Sequence, residues 1–389
     1  MIDLKDYGLI KDYYIDDDMN KDTVNSFQDG LCRNLENGMH KSDVDRESHQ
    51  SILYGRVTQV HREMYKVITP NGECNAKLKG SLLNQVVSAE EFPAVGDFIL
   101  LKYNEQGESQ ILKVCKRRSK FSRPDYSGHA AGYAKTILEQ VVAANFDYVF
   151  ILASLNYDFN INRILRYITV AWESGGIPVV ILTKADLVED YSEQLSRLKN
   201  QAIGVDVIAV SAVAGMGLDQ LREYLIPGKT IVFLGSSGVG KSTLVNALAG
   251  EDIMKVNSIR EDDSKGRHTT THRQLIRLDS GVMIIDTPGM RELGMWDIKE
   301  GLGEAFSDIE DLFLQCKFSD CTHRSEPGCA VLAAIEEGTL EQKRWKNYLQ
   351  IKNEAKYTQD KAAYLKDKKE FFKKINKDAK VRYKNGGKR

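Results

Sequence analysis

The chain has 389 residues, enough for two or three domains, each with a core of its own. With 54 Lys and Arg against 55 Asp and Glu, its net charge of −1 excludes a chain that is basic or acidic throughout. The opening residues lack a basic n-region and an apolar h-region, and no stretch reaches about 18 apolar residues, so a cytosolic protein with no membrane partner is expected.

Residues 1–50 carry 12 acidic and 6 basic side chains and little periodicity, which reads as an acidic extension of short helical pieces or flexible chain. Short alternating runs follow at 52–60, 64–68, 73–78, 97–103 and 110–114, with turns at Pro70-Asn-Gly72 and Glu105-Gln-Gly107. Five such strands predict a small closed barrel of the OB type over 51–118, a frequent nucleic-acid platform. A spacer role is the alternative, because fold alone does not fix function. Lys and Arg surround Phe121 in the barrel's exit, 113–123, which suggests RNA contact there.

Over 124–298 the rhythm alternates strand and helix, the pattern of a mostly parallel α/β sheet. Strands are predicted at 148–152, 178–182, 205–210, 230–234, 274–278 and 282–285. Helices are predicted at 160–174, near 191–202 and at 243–249. Cys32, Cys74 and Cys115 are scattered and read as single reduced thiols.

The stretch Gly235-Ser-Ser-Gly-Val-Gly-Lys-Ser242 lies between a strand and a helix and forms a phosphate cradle. Gly235, Gly238 and Gly240 let the backbone approach the phosphates, with Ser236, Ser237, Val239 and Thr243 completing the loop and first helical turn. Lys241 would reach the β- and γ-phosphates, and Ser242 would sit on Mg²⁺. Asp286, which opens Asp-Thr-Pro-Gly, would also hold Mg²⁺, and the Gly289 N–H would face the γ-phosphate. Thr183, Lys184, Ala185 and Asp186 end a strand. There the Asp186 carboxylate can accept from guanine N1–H and the 2-amino group, donors that adenine lacks. The Lys184 stem would lie along the base, and the backbone of Ser211 and Ala212 would donate to O6.

These motifs resemble the G1, G3, G4 and G5 elements of Ras-like GTPases with the base-reading half first, a circular permutation. Permuted order, a preceding barrel, Gly266-Arg-His-Thr-Thr-Thr271 and a trailing Cys/His cluster together resemble the RsgA family (YjeQ or YloQ) of small ribosomal subunit biogenesis GTPases. The resemblance covers roughly residues 52–335. Thr183 departs from the family's usual Asn and offers fewer hydrogen bonds. Met290 stands where a Ras-like enzyme carries a water-orienting Gln, and the resemblance implies His268 as the catalytic substitute. One of Thr269, Thr270 and Thr271 is expected to join the Mg²⁺ site.

Cys316, Cys321, His323 and Cys329 supply three thiolates and an imidazole, a closed structural set for one Zn²⁺. Residues 341–389 carry 17 basic against 6 acidic side chains, read as a helical tail with lysines toward rRNA or simply toward solvent. The fold class expected is therefore multidomain. It joins an OB-type barrel, a circularly permuted α/β P-loop GTPase domain and, over 299–389, a zinc-binding helical module. The function expected is a monomeric GTPase that binds the small ribosomal subunit and its rRNA as a late maturation checkpoint and is released on hydrolysis to GDP. A phosphotransferase acting on a small metabolite is the first rival, and the absence of an acceptor-substrate pocket in the sequence weighs against it. The second is an RNA-binding module with a purely structural nucleotide site.

Overall fold

The computed structural model describes residues 2–10, 51–61, 64–79, 91–125, 138–156, 159–254, 273–286 and 299–355. Strands β1 (Ile52–His61), β2 (Met64–Thr69), β3 (Gly72–Leu78), β4 (Phe98–Lys102) and β5 (Ser109–Val114) pair in the order β1-β2-β3-β5-β4. Strand β4 also pairs with β1, which closes a five-stranded barrel. Alternate residues fill its interior: Val57, Val67, Ala76, Ile99, Leu101 and Ile111 are fully buried. Gly55 sits where a Cβ would lie 2.4 Å from Val67 Cγ1, so β1 and β2 can close only around a glycine.

Past the barrel the chain forms a hairpin that the sequence reading lacked, β6 (Lys120–Asp125) with β7 (Leu138–Ala144). Phe121 is 2% exposed, stacked on Phe146 at 4.7 Å, which corrects the expectation of an RNA-facing aromatic. Arg117 and Arg118 from the same stretch pair inward with Asp97 and Asp147. The spacing of basic residues around one Phe does not distinguish a base-stacking surface from a packed hairpin.

The second unit is a sheet in the order β10-β9-β8-β11-β13-β12. It comprises β8 (Tyr148–Ser154), β9 (Ile177–Thr183), β10 (Asp206–Ala209), β11 (Thr230–Gly235), β12 (Gln274–Arg277) and β13 (Met283–Asp286). All neighbours are parallel except β12 and β13. Its inner strands are unbroken apolar runs because both faces are covered. Val149 and Ile151 face the layer holding α1 (Ile161–Glu173) and α2 (Ser192–Lys199), while Phe150 and Leu152 face α3 (Lys241–Ala249). Helix α1 begins where the Asn160 side chain accepts from the Arg163 N–H at 3.0 Å. Strand β11 lies at the middle of the sheet, between the earlier β8 and the later β13, which is the spatial form of the permutation.

The C-terminal module comprises α4 (Lys299–Ala305), α5 (Ser307–Phe313), α6 (Ala330–Glu336) and α7, residues 342–355. Its core is continuous with the α1 and α2 layer. Arg344 is buried, donates to both Asp308 oxygens and to Ala305 O, and reaches the Gln201 carbonyl just past α2. Glu173 at the end of α1 accepts from Gly301 N–H at 2.8 Å, and Arg166 pairs with Glu354. No helix among the described residues is long and apolar enough to cross a membrane.

One buried side chain ties the barrel to the sheet. Arg56 of β1 is 0% exposed and lies over the Phe98 ring, with its guanidinium carbon 4.9 Å from the centroid. It donates to Tyr7 O at 2.6 Å, Gly96 O at 3.2 Å, Asn145 O at 2.9 Å and Thr230 Oγ1 at 3.0 Å. Residues 2–10 thereby dock as a short 3₁₀ turn (Leu4–Tyr7), with Leu4 buried and Ile2 N–H bonded to Pro70 O. Arg56→Met keeps bulk but takes the donor from the Tyr7 and Asn145 carbonyls and the Thr230 hydroxyl, leaving Gly96 O with Asn145 Nδ2 alone, and should cost at least about 3 kcal/mol. Guanidinium unfolding would show this as a lowered midpoint; a loss under about 1 kcal/mol would show the hub to be dispensable.

Candidate nucleotide and metal sites

The loop after β11 rises into α3 through Gly238 (φ +75°) and Gly240 (φ +101°), backbone angles that favour glycine. Gly240 is the N-cap residue of α3, so the first N–H groups of the helix point into the cradle made by 235–240. Val239 is 2% exposed and pins the loop into the core, while Ser237 and Gly238 are exposed and Ser236, Ser242 and Thr243 partly so.

Lys241 Nζ lies 2.5 Å from Asp286 Oδ1, so the phosphate-loop lysine and the carboxylate at the end of β13 share one point. Asp286 is 1% exposed, and its second oxygen, Oδ2, is buried with no hydrogen-bond partner among the described residues. A buried carboxylate oxygen with nothing to accept is costly unless a cation or water satisfies it. The residues present therefore fit Mg²⁺: an oxygen donor set of Asp286 and Ser242 beside a phosphate cradle.

Thr183 closes β9 and is 4% exposed. Its hydroxyl donates to the carbonyl of Val239 at 2.5 Å, which ties the turn at the end of β9 to the glycine-rich loop after β11. Lys184 follows at φ +59°, and Ala185–Leu187 form a single 3₁₀ turn that leaves Asp186 exposed. Ala185 N–H donates to Val210 O, so the turn is stitched to the chain entering Ser211 and Ala212. Ser211 is 1% exposed; its N–H and C=O bridge to Met216, and its hydroxyl accepts from Ala214 N–H. Gly235, Lys241 and Asp286 are thus brought to the same end of the sheet as Thr183, Lys184 and Asp186. Gly289, Met290, His268 and Thr269, Thr270 and Thr271 lie outside the described residues.

The second site is the Cys/His cluster, whose four ligand atoms all lie within 4.8 Å of one another. His323 Nδ1 stands 3.5 Å from both Cys316 Sγ and Cys329 Sγ. A tetrahedral zinc with Zn–S of about 2.3 Å and Zn–N of about 2.0 Å requires S···N edges of about 3.5 Å. The cluster is compatible with that ion.

Burial opposes ionisation of Cys316, yet N–H groups of Ala330 and Val331 at the start of α6 hold its thiol below the ordinary range. Burial, aided by Cys329 and Cys316 as neighbours, pushes Cys321 up to about 11. Three crowded thiols cannot all ionise unless a cation joins them. Desolvation, and then Lys352, hold His323 below its ordinary value, in the neutral form that binds metal.

The supporting shell was not legible in the motif. Phe313 stacks on His323 at 4.3 Å, with Trp345 and Tyr348 behind it. Glu326 accepts from the N–H groups of Thr322, Arg324 and Ser325, clasping the loop between ligands. The three-residue spacing of Trp345 and Tyr348 on a helix was the available signal.

The model described as RsgA GTPase matches residues 114–296. A second, described as 50S ribosome-binding GTPase, matches 230–366, beginning at β11, where an unpermuted G domain would begin. The chain is 49% identical over 304 residues to small ribosomal subunit biogenesis GTPase RsgA 2 of Listeria monocytogenes, covering 78% of this chain and 84% of that one. It is similar to the crystal structure of YjeQ from Thermotoga maritima, with a TM-score of 0.59 and 28% identity over 78% of this chain and 99% of that one. The crystal structure of YloQ, a circularly permuted GTPase, shares the fold at a TM-score of 0.54 and 24% identity, covering 82% of this chain and 99% of that one.

Protein purified without chelators should carry about one zinc per chain, measured by elemental analysis. Cys321→Ser should lose the metal and loosen the C-terminal module to proteolysis while leaving GTP binding within about threefold, since the two sites share no residue. Metal-free wild-type protein would sink the zinc assignment.

Proposed function

Since this chain belongs to the RsgA GTPase family, it is a GTP-hydrolysing enzyme, and we propose that it acts on the small ribosomal subunit as a late assembly checkpoint. The observation that carries this reading is the Thr183–Val239 bond, which ties the turn carrying Lys184 and Asp186 to the glycine-rich loop after β11 and so supports a guanine reader beside a phosphate cradle. A phosphotransferase needs no such reader. A purely structural nucleotide site leaves the Lys241–Asp286 pair and the orphaned Asp286 oxygen without a purpose.

In this reading Asp186 accepts from guanine, Lys184 lies along the base, Ala185 shapes the turn, and the backbone of Ser211 and Ala212 donates to O6. Residues 235–243 hold the phosphates and Gly289 faces the γ-phosphate. Ser242 and Asp286 would hold Mg²⁺, which would supply neutralisation of the phosphate charge. His268 orients the attacking water, a task that Met290 cannot perform. Cys316, Cys321, His323 and Cys329 would hold one Zn²⁺, which would cross-link the C-terminal module. The barrel and the lysine-rich tail meet rRNA phosphates, and GTP favours the bound state while hydrolysis favours release. One chain supplies both halves of the nucleotide site, which suits a monomer. A cytoplasmic location follows from the ribosomal partner.

The test is hydrolysis of GTP and of ATP, each with and without purified small subunits. GTP turnover should rise at least about tenfold with subunits, about 1.4 kcal/mol off the barrier, and ATP turnover should stay near background. His268→Ala should abolish most of that rise with GTP affinity changed less than about threefold. Equal stimulation of ATP, or none of GTP, would overturn the proposal; stimulation that survives in His268→Ala would clear that residue alone.

Asp186→Asn should weaken GTP binding by at least about tenfold and favour xanthine nucleotide, whose 2-position carries an oxygen. Titration of both nucleotides reads this, and unchanged GTP affinity would remove Asp186 from the base site.

A further inference from the structure

Strand β10 is the outer edge of the large sheet, and among the described residues it pairs only with β9. In a parallel ladder a strand bonds each neighbour through alternate residues. Val210 N–H goes to Leu182 O on β9 at 2.8 Å, so Ile208 also faces β9, and the N–H and C=O of Val207 face outward. Farther along, the edge is closed: Ser211 bridges back to Met216, and Gly217 packs where a Cβ would stand 2.2 Å from Ala209 O.

The open stretch forms the floor of a groove of about 730 Å³. One wall is the end of α2 and the turn after it, with Lys199, Ala202 and Ile203; the other is the 3₁₀ helix Asp219–Tyr224, with Asp219 and Glu223. These walls belong to opposite faces of the sheet, since Ala202 packs in one core and Leu221 and Tyr224 in the other. Ile203 is 49% exposed at the lip. Asp206, Asp219 and Glu223 outnumber Lys199, so the rim is acidic.

We propose that this groove receives an extended, lysine- or arginine-rich peptide segment of a partner protein, added as a short strand to β10. Val207 N–H donates to a peptide carbonyl and Val207 C=O accepts a peptide N–H. An apolar peptide side chain covers Ile203, and basic ones reach Asp219 and Glu223. An α-helix, about 10 Å across, cannot pair with a strand edge. Nucleic acid would set phosphates against carboxylates, and a second copy of β10 would set acid against acid. The groove shares no residue with the nucleotide site.

The test uses the full chain and a fluorescein-labelled seven-residue peptide of alternating lysine and valine, read by fluorescence anisotropy. Binding should fall at least about tenfold for the Asp219→Lys, Glu223→Lys double variant and about fivefold for Ile203→Ser. It should also fall when the peptide amides that face the chain are N-methylated, and hydrogen exchange should show the Val207 amide protected only with the unmodified peptide. Unchanged GTP binding certifies that each variant is folded. Absent binding, equal binding by the variants, or equal binding of the N-methylated peptide would overturn the proposal. So would concentration-dependent dimerisation lost in Ile203→Ser, which would give the groove to a second copy.

Discussion

The architecture depends on Arg56. A cation with no access to water is tolerated only where its donors find acceptors, and here they are gathered from four parts of the chain. Tyr7 comes from the N-terminal turn, Gly96 from the approach to β4, Asn145 from the end of the hairpin and Thr230 from the start of β11. Asn145 itself sits at φ +55°, a strained angle held by its side chain, which accepts from Arg118 N–H and donates to Gly96 O. The barrel is thus fixed to the strand that carries the phosphate loop, rather than strung from it by a linker.

A similar constraint operates on the opposite side. Arg344 joins α4, α5 and α7 to the chain just past α2, and Glu173 holds the start of α4 to the end of α1. The C-terminal module therefore rides on α1 and the chain just past α2. Gly301 allows this, since a Cβ there would lie 2.2 Å from Thr169 O. Both arginines are invisible to charge counting, which treats them as surface cations; burial and partner geometry give them their roles.

What could be read from the sequence follows from how local each signal is. The apolar runs of β8, β9, β11 and β13 and the glycines of the phosphate loop are consequences of burial and backbone angle within a few residues, and their positions emerge within a residue or two. The barrel strands were legible because alternation reports one buried face. The hairpin β6–β7 was not: its pairing joins Lys120 to Ala144 across 24 positions of sequence, and the basic residues around Phe121 resemble an exposed surface. The Cys/His cluster stood out by residue type, whereas Phe313, Trp345 and Glu326 gain their meaning only from contacts across the module.

Thr183 shows how a departure from a motif is absorbed by geometry. Its hydroxyl has one proton to give, and that proton goes to Val239 O rather than toward a base. The hydroxyl thus makes the loop-to-loop tie and has no second proton to donate. Because Val239 is locked in the core beside Leu244, the tie anchors the Lys184–Asp186 turn to a fixed point of the phosphate loop. Asp286 meets Lys241 at the same end of the sheet, and only 12 residues separate Asp286 from α4, which Glu173 anchors. The described residues thus fix both points between which that span runs, Asp286 at the end of β13 and the start of α4 on α1.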